Sequence, residues 1–228
     1  MIRNILLDLD NTILDFSRSE REALKKTLTQ LDIEPTDSVL CRYSEINAAQ
    51  WKLLELGQFT LPQIKARRYQ LLFDELGVVC SAELATSIYE DFICNEGWLT
   101  DGAEDVLKAL YPNYRVYIAS NGTPRAQRNR IAKAGIEQYL SGVFISQEIG
   151  AFKPHIEFFD YCFAHIDDFR REETVMVGDS LSSDIKGGIA AGITTIWLNP
   201  GRSVCPPEAV PDYEIHALSE LPELLMKL

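Results

Sequence analysis

Short apolar runs alternate with helical patterns along much of the chain, and this alternation is the feature that most constrains the fold. Five runs have the length and composition of buried strands, at residues 5–7, 116–119, 143–145, 174–177 and 194–198. Helical stretches separate the later runs, with starts near Pro124, Pro154 and Ser182. Strands joined by helices form a parallel sheet with right-handed crossovers. The sequence therefore predicts an α/β fold built on a parallel sheet.

Residues 17–96 interrupt this alternation, because they show helical periodicity and no convincing strand pattern. Leu24, Leu28 and Leu31 have the i, i+4, i+7 spacing of one helix face. Three more helical stretches follow, at residues 37–56, 61–76 and 82–95. We therefore predict an all-helical cap domain at 17–96, inserted into a core domain made of 1–16 and 97–228. A block inserted directly after the first strand is expected to lie over the carboxyl end of that strand, like a lid.

Two carboxylates follow the first predicted strand. Asp8 and Asp10 are separated by one residue, and alternate residues of a strand share a face. Both side chains should therefore leave the carboxyl edge of the sheet together, where open α/β sheets bind ligands. One carboxylate can attack a substrate while the other transfers protons. By itself the pair is more typical of a turn or a helix cap.

Polar residues also stand at the ends of later strands. Ser120 follows the second strand, where its hydroxyl can donate to a phosphoryl oxygen beside a helix N-terminus. Lys153 follows a loop that contains glycine, and its ammonium can pair with a carboxylate and with a phosphoryl group. Asp179 ends a further strand and is the natural ligand for a hard divalent cation. Asp184 would act through a bound water or by holding Lys153 and Ser180, although either aspartate could simply cap a helix.

The charge of the chain limits its partners. A formal net charge of -12 argues against binding to nucleic acid or to a membrane surface, and no apolar run reaches the length of a membrane span. An anionic substrate stays compatible with this charge, because a bound cation reverses the field inside a cleft. We expect a small-molecule substrate and a monomer or weak homodimer. The chain enters a strand at once without a leader, so we expect it to be cytoplasmic.

Taken together, the four strand-end segments resemble the motifs of the haloacid dehalogenase (HAD) superfamily. In order, those motifs are Asp-x-Asp-x-Thr, a Ser or Thr, a Lys, and Gly-Asp-x-x-x-x-Asp, and this chain carries all four. Their order and the helical insertion extend the resemblance over nearly the whole length. The resemblance implies a three-layer Rossmann-like core with a helical cap, and Mg²⁺-dependent hydrolysis of a phosphate monoester.

The resemblance also implies roles for individual residues. Asp8 would be the nucleophile that forms an aspartyl-phosphate, and Asp10 the general acid and base. Mg²⁺ would be held by Asp8, by Asp179 and by the backbone carbonyl of Asp10. Ser120 and Lys153 would bind the phosphoryl oxygens, with Asn121 supporting through its backbone. We expect three further residues to support these groups: Thr12, Ser180 and Asp184.

The residue at position 10 and the predicted cap reduce the number of activities that fit the sequence. The founding dehalogenases carry no acid two residues after the nucleophile, so Asp10 favours a phosphatase. The cap segment resembles that of the HAD pyrimidine 5′-nucleotidases, through residues Tyr43, Asn47, Trp51, Gly57, Thr60 and Arg68. We take Asn47, Trp51 and Arg68 as candidate specificity residues. An aromatic ring in this segment is also typical of a cap core, and an arginine is also typical of a solvated helix face. A sugar-phosphate phosphatase, a phosphoglycolate phosphatase and a phosphomutase stay open as alternatives.

A function of another class fits the same core residues. A phospho-accepting signalling module also places an acidic pocket, a hydroxyl and a lysine on a doubly wound sheet. In such a module the aspartyl-phosphate is a switch and not an intermediate. Asp10 and the large helical insertion count against it, because a switch needs neither an acid for the leaving group nor a lid.

Overall fold

A computed structural model describes all 228 residues, and the chain forms two compact units. The first unit contains Met1–Asp15 and Gly97–Leu228, and the second contains Phe16–Glu96. These bounds lie within one residue of the predicted domain boundaries. That the two units behave as separate domains stays a prediction.

A six-stranded, wholly parallel sheet forms the centre of the first unit. In chain order its strands are β1 (Asn4–Leu7), β2 (Arg115–Ser120), β3 (Gly142–Ile145), β4 (Thr174–Gly178), β5 (Thr194–Leu198) and β6 (Tyr213–Ile215). In space their order is β3-β2-β1-β4-β5-β6, with Leu7 of β1 opposite both Ile118 and Val177. β1 therefore lies between β2 and β4, and these three strands end side by side. The predicted α/β fold class is confirmed.

Six helices complete the first unit: α5 (Ala103–Leu110), α6 (Pro124–Ala134), α7 (Ser146–Ile149), α8 (Ile156–Ala164), α9 (Lys186–Ala191) and α10 (Leu221–Leu225). The first four helices of the chain belong to the second unit. One hydrophobic core joins α5, α6 and α10 to the sheet face that carries Ile5 and Leu7. The other core joins α8 and α9 to the face that carries Leu6. Because strand side chains alternate between faces, the apolar residues of β1 pack into both cores. The sheet and the helices on its two faces therefore form three layers.

The second unit is entirely helical. Its helices are α1 (Phe16–Gln30), α2 (Asp37–Glu55), α3 (Leu61–Leu76) and α4 (Ala82–Ile93). Local signals set their ends: Ser81 caps α4 by accepting from the Leu84 amide at 3.1 Å, and Gly77 ends α3 with φ of +65°. The rings of Tyr43 and Tyr69 pack in its core with centroids 5.1 Å apart.

The structure adds elements that the sequence analysis did not predict. These include the edge strand β6 and the helix α5. The helix expected near Pro154 begins at Ile156, and the one expected near Ser182 opens as a π-helical turn over Leu181–Ile185 before α9. None of the helices combines the length and hydrophobicity needed to cross a membrane.

Candidate active site

The chain reverses sharply after β1, and this turn presents the first two carboxylates. The Asp8 amide still donates to the Val177 carbonyl at 2.9 Å, so Asp8 extends the pairing with β4. Asn11 then adopts a left-handed conformation with φ of +59°, and its amide donates to the Leu14 carbonyl at 2.7 Å. Asp8 is therefore held by the sheet and Asp10 by the turn. Asp8 is 7% exposed.

Lys153 is a buried lysine that joins two carboxylates. Its Nζ donates to Asp8 Oδ1 at 2.7 Å, to Asp184 Oδ1 at 2.6 Å and to the Ala119 carbonyl at 2.5 Å. All three protons of the ammonium are thus used. Burial alone would lower the pKa of Lys153, but Asp184 and Asp8 together raise it above its usual range, so the side chain is protonated. The side chain is only 1% exposed, so this cation belongs to the site and not to the solvated surface.

Three carboxylates surround this lysine. Oxygens of Asp8, Asp179 and Asp184 all lie within 4.8 Å of one another. Burial raises the pKa of the Asp8 carboxyl well above its usual range, Lys153 opposes the shift, and the nearby carboxylates add to it. Burial, followed by repulsion from Asp184, raises the pKa of Asp179 to about 7. With three carboxylates and one ammonium, the fully ionised cluster carries a charge of -3 + 1 = -2. A cluster of this kind binds protons or cations.

The π-helical turn after β4 brings Asp184 back to the strand end. Asp184 Oδ2 accepts from the Ser180 amide at 3.1 Å while Oδ1 accepts from Lys153. A Cβ at Gly178 would collide with the Asp184 carboxylate, so this position requires glycine. π-helical turns are frequent at functional sites because they redirect one side chain. Asp184 thus contacts both residues that it was predicted to hold.

Asn121 contacts the lysine loop through its side chain. Its Nδ2 donates to the Lys153 carbonyl and its Oδ1 accepts from the Lys153 amide, both at 2.8 Å. These reciprocal bonds join the end of β2 to the loop after α7. A backbone role of Asn121 with phosphate stays a prediction, and this side-chain link to the lysine loop was not predicted.

Asp10 is held by two residues of α6. Arg130 Nη1 donates to Asp10 Oδ1 at 2.5 Å, and Gln127 Nε2 donates to Asp10 Oδ2 at 2.7 Å. The same Gln127 Nε2 donates to Ser120 Oγ at 2.7 Å. Asp10 and Ser120 are therefore joined through one amide group. Asp10 keeps 30% of its side chain exposed, so it can reach a ligand.

The remaining predicted residues differ in their surroundings. Ser180 accepts from the Ser183 amide at 3.3 Å and caps the turn that carries Asp184. Thr12 is fully buried, and its hydroxyl has no hydrogen-bond partner, while its carbonyl accepts from the Thr100 hydroxyl at 2.8 Å. The part of Thr12 that holds the turn is thus its backbone. The predicted supporting roles of Thr12 and Ser180 stay predictions.

The three predicted specificity residues all lie in the helical unit. Arg68 Nη1 donates to Asn47 Oδ1 at 3.0 Å, and Asn47 Nδ2 donates to Glu20 Oε1 at 2.6 Å. The Arg68 guanidinium also lies 4.7 Å from the centroid of the Tyr89 ring, an arrangement that favours a cation. Asn47 and Arg68 are thus part of a buried network within this unit, whereas Trp51 is half-buried.

Comparison with known proteins identifies the family. The family model for haloacid dehalogenase-like hydrolases matches residues 2–192. The chain belongs to the haloacid dehalogenase-like hydrolases. It is thus a HAD-type enzyme, and the resemblance inferred from the four motifs is confirmed.

The HAD relatives match nearly the full chain. The pyrimidine 5′-nucleotidase PynA of Streptococcus pneumoniae is 34% identical over 98% of this chain and 94% of its own length. The pyrimidine 5′-nucleotidase YjjG of Escherichia coli is 28% identical over 98% of this chain and 97% of its own. The HAD-hydrolase YfnB of Bacillus subtilis, whose crystal structure is bound to magnesium, has a TM-score of 0.95, 35% identity and 98% coverage of both chains.

Gln127 and Arg130 were not predicted for this HAD site. A signal for them exists in the sequence, because residues three apart share a helix face and this helix begins at Pro124, shortly after Ser120. Two polar residues on the first turns of that helix, facing the strand end, could have been proposed as partners of the site. Long polar side chains on helices are usually solvated, and for that reason Gln127 and Arg130 were not predicted as site residues.

Proposed function

We propose that this HAD hydrolase is a Mg²⁺-dependent phosphomonoesterase that acts through an aspartyl-phosphate on Asp8. The observation that carries the proposal is the pairing of Asp8 with the buried Lys153 at 2.7 Å inside a carboxylate cluster. The lysine keeps one oxygen of Asp8 in place and presents positive charge where a phosphoryl group would approach. Such fixed charge stabilises the transferring group without reorganisation during the reaction.

The donor set fits a hard divalent cation. Carboxylate oxygens are the ligands that Mg²⁺ prefers, and the ionised cluster of charge -2 would become neutral with one such ion. Asp8 and Asp179 would hold it with the backbone carbonyl of Asp10, while Asp184 is engaged by Lys153 and the Ser180 amide. When bound, the cation supplies charge that offsets the negative charge developing on the phosphoryl oxygens.

The residues divide the reaction into two steps. In the first, an Asp8 carboxylate oxygen forms a bond to phosphorus, the ester P–O bond breaks, and Asp10 gives its proton to the departing alkoxide. In the second, Asp10 takes a proton from water as the water oxygen bonds to phosphorus, and the bond to Asp8 breaks to release phosphate. Ser120 donates to a phosphoryl oxygen, and the Lys153 ammonium, whose protons go to Asp8, Asp184 and the Ala119 carbonyl, stabilises the phosphoryl group through its charge. The separate supports of Asp8 and Asp10 suit these separate roles.

Steady turnover distinguishes this enzyme from a phospho-accepting switch. With p-nitrophenyl phosphate and Mg²⁺, we expect p-nitrophenol release to continue over many equivalents of protein. A single burst that stops at one equivalent would indicate the switch instead. Intact-mass measurement after acid quench would show one added phosphoryl group in either case, and its absence in Asp8→Asn would support Asp8 as the site.

Metal removal is expected to silence the enzyme. EDTA should abolish turnover, and Mg²⁺ should restore it. Asp179→Ala should raise the Mg²⁺ concentration needed for half-maximal activity more than Asp184→Ala. The first variant loses a ligand, whereas the second only misorients the groups around the ion, which typically costs about 10- to 100-fold in affinity. Titration of each variant with Mg²⁺, followed by activity and by calorimetry, checks the order. Full activity in EDTA after exhaustive dialysis would contradict the metal assignment.

We further propose nucleoside 5′-monophosphates as the substrates. The similarity to two pyrimidine 5′-nucleotidases supports this choice. A comparison of kcat/KM for nucleoside monophosphates, sugar phosphates and phosphoglycolate tests it. A preference for any sugar phosphate over every nucleotide would leave the phosphomonoesterase proposal standing and remove the nucleotidase one. Conversion of a sugar phosphate to its isomer would indicate a phosphomutase.

Trp51 is the residue of the helical unit on which we place base recognition. Asn47 and Arg68 are buried and bonded to each other, so we expect their substitution mainly to destabilise that unit. Trp51→Ala should lower kcat/KM for pyrimidine monophosphates by about 5- to 150-fold, the value of one aromatic stacking contact. Turnover of p-nitrophenyl phosphate should stay nearly unchanged. Leu56→Ala, at an exposed position one residue after α2, is the matched control. A parallel loss for both substrates would make Trp51 a structural residue.

A further inference from the structure

A polar network inside the first unit lies outside the four motifs. Gln127 and Arg130 are 2% and 1% exposed, yet both are strongly polar. Arg130 Nη1 donates to Gln127 Oε1 at 2.8 Å as well as to Asp10. The mechanism described above does not use either residue. Burial of a charged or amide side chain is costly unless its groups are satisfied, so such a network requires a reason.

Gln127 is satisfied in only one orientation. Its two N–H groups donate to Asp10 Oδ2 and to Ser120 Oγ, and its carbonyl oxygen faces the Arg130 guanidinium. The guanidinium is a donor only. If the Gln127 amide were turned around, its NH2 group would face the Arg130 guanidinium, and two hydrogen-bond donors would oppose each other. Arg130 therefore fixes which end of the amide faces the site. An amide fixed in this way holds the Asp10 carboxylate at a set position relative to Ser120.

The same amide also sets the direction of the Ser120 hydroxyl. Ser120 Oγ accepts from Gln127 Nε2 at 2.7 Å and from the Gly122 amide at 3.2 Å. A hydroxyl has two acceptor sites and one proton, so its acceptor sites are filled and its proton is left to be donated. A phosphoryl oxygen is an acceptor that this proton can reach at the strand end. Ser120 is thereby prepared as a donor before the substrate arrives.

Gly122 is adapted to this arrangement. A Cβ at this position would collide with the amide of Gln127. The Ser-Asn-Gly turn therefore leaves space for a side chain that arrives from α6. The same helix begins with Pro124, which is suited to a first turn and places Gln127 and Arg130 on one face.

We propose that Gln127 and Arg130 are positioning residues that hold the Asp10 carboxyl for proton transfer and orient the Ser120 hydroxyl toward the phosphoryl group. The inference rests on the proposed phosphomonoesterase function and deepens it. Neither side chain touches the reacting atoms. Both act through Asp10, and Gln127 acts through Ser120 as well.

The test compares two esters that differ in their leaving groups. kcat/KM reports the steps up to the first phosphoryl transfer, where phenyl phosphate needs a proton from Asp10 more than p-nitrophenyl phosphate does. Gln127→Leu and Arg130→Met remove the hydrogen bonds and keep much of the volume. We expect kcat/KM for phenyl phosphate to fall by about 10²-fold, the cost of a displacement of about 1 Å, and to fall far less for p-nitrophenyl phosphate. Arg130→Lys should recover part of the loss.

Further measurements separate positioning from a general structural effect. In an Asp10→Asn background, Arg130→Met should cause no additional change in the ratio of the two kcat/KM values, because both substitutions act on one proton transfer. Gln127→Leu should also raise KM for both esters, through Ser120. Arg128→Met, an exposed arginine of the same helix that pairs with Glu148 at 2.8 Å, is the matched control and should change neither value. Thermal unfolding verifies that each variant is folded.

The possible failures are distinct. A wild-type protein that hydrolyses neither ester would overturn the proposed function and this inference with it. An active wild type with an unchanged ratio of kcat/KM values in folded Gln127→Leu and Arg130→Met variants would overturn this inference alone. A further change in this ratio when Arg130→Met is added to Asp10→Asn would likewise remove Arg130 from a role through Asp10.

Discussion

Replacement of Asp8 by asparagine is expected to abolish turnover while the fold persists. The amide nearly matches the carboxylate in shape and its carbonyl can still accept from Lys153, but it cannot attack phosphorus. Loss of a nucleophile from a catalytic unit costs on the order of 10⁶ in kcat. Steady-state assays with p-nitrophenyl phosphate measure the loss, and intact mass after acid quench should show no phosphate on the variant. Retention of more than a small fraction of wild-type kcat in carefully purified protein would contradict the proposed mechanism.

Thermal unfolding provides the control for this variant. Asp8→Asn removes one of three crowded carboxylates, so in EDTA its Tm should equal or exceed that of the wild type. In Mg²⁺ the wild type should gain stability from ligand binding, and the variant should gain less. Asp160→Asn, at an exposed position on α8, should change neither activity nor Tm. A variant that is inactive because it is unfolded would show a lowered Tm in both buffers.

The sheet was largely predictable because its strands carry a simple signal. β1, β2 and β4 are buried on both faces by two separate cores, which requires continuous apolar runs. β6 was not predicted, because it has three residues and two of them are exposed. An edge strand of this length has no composition that separates it from a loop.

The positions of the groups proposed to transfer and bind phosphate were predictable for a related reason. Asp8 and Asp179 each follow a strand directly, Ser120 is the last residue of β2, and parallel strands end at one edge of the sheet. A polar residue at the end of one of these strands in the sequence therefore lies at this edge of the sheet in space. Lys153 was assigned from its loop and the resemblance, and its complete burial could not be read from its own context.

The supports behind these groups were less predictable, because they depend on side-chain direction. Asn121 was given a backbone role, and its side chain in fact bonds both polar groups of the Lys153 backbone. Gln127 and Arg130 face inward from a helix of mostly polar residues. Which face of such a helix is buried is set by tertiary packing and not by its own sequence.

The second large effect is expected at Asp10, and its signature is dependence on the leaving group. Asp10→Asn should lower kcat/KM for phenyl phosphate by about 10² to 10⁴, the usual contribution of general acid catalysis, and lower it much less for p-nitrophenyl phosphate. Dephosphorylation should also slow, so rapid-quench experiments should show an accumulated aspartyl-phosphate. A uniform loss for all esters with normal dephosphorylation would remove Asp10 from acid and base catalysis.

The surroundings of Asp10 separate this signature from simple structural damage. Arg130 and Gln127 both donate to the carboxylate, and an asparagine presents only one oxygen to these two donors. One buried donor is then left unsatisfied, so Asp10→Asn should also lower Tm slightly and raise KM through the displaced Gln127 and Ser120. Those two changes apply equally to good and poor leaving groups. The ratio of kcat/KM values between the two esters cancels them and therefore measures the proton transfer that we propose for Asp10.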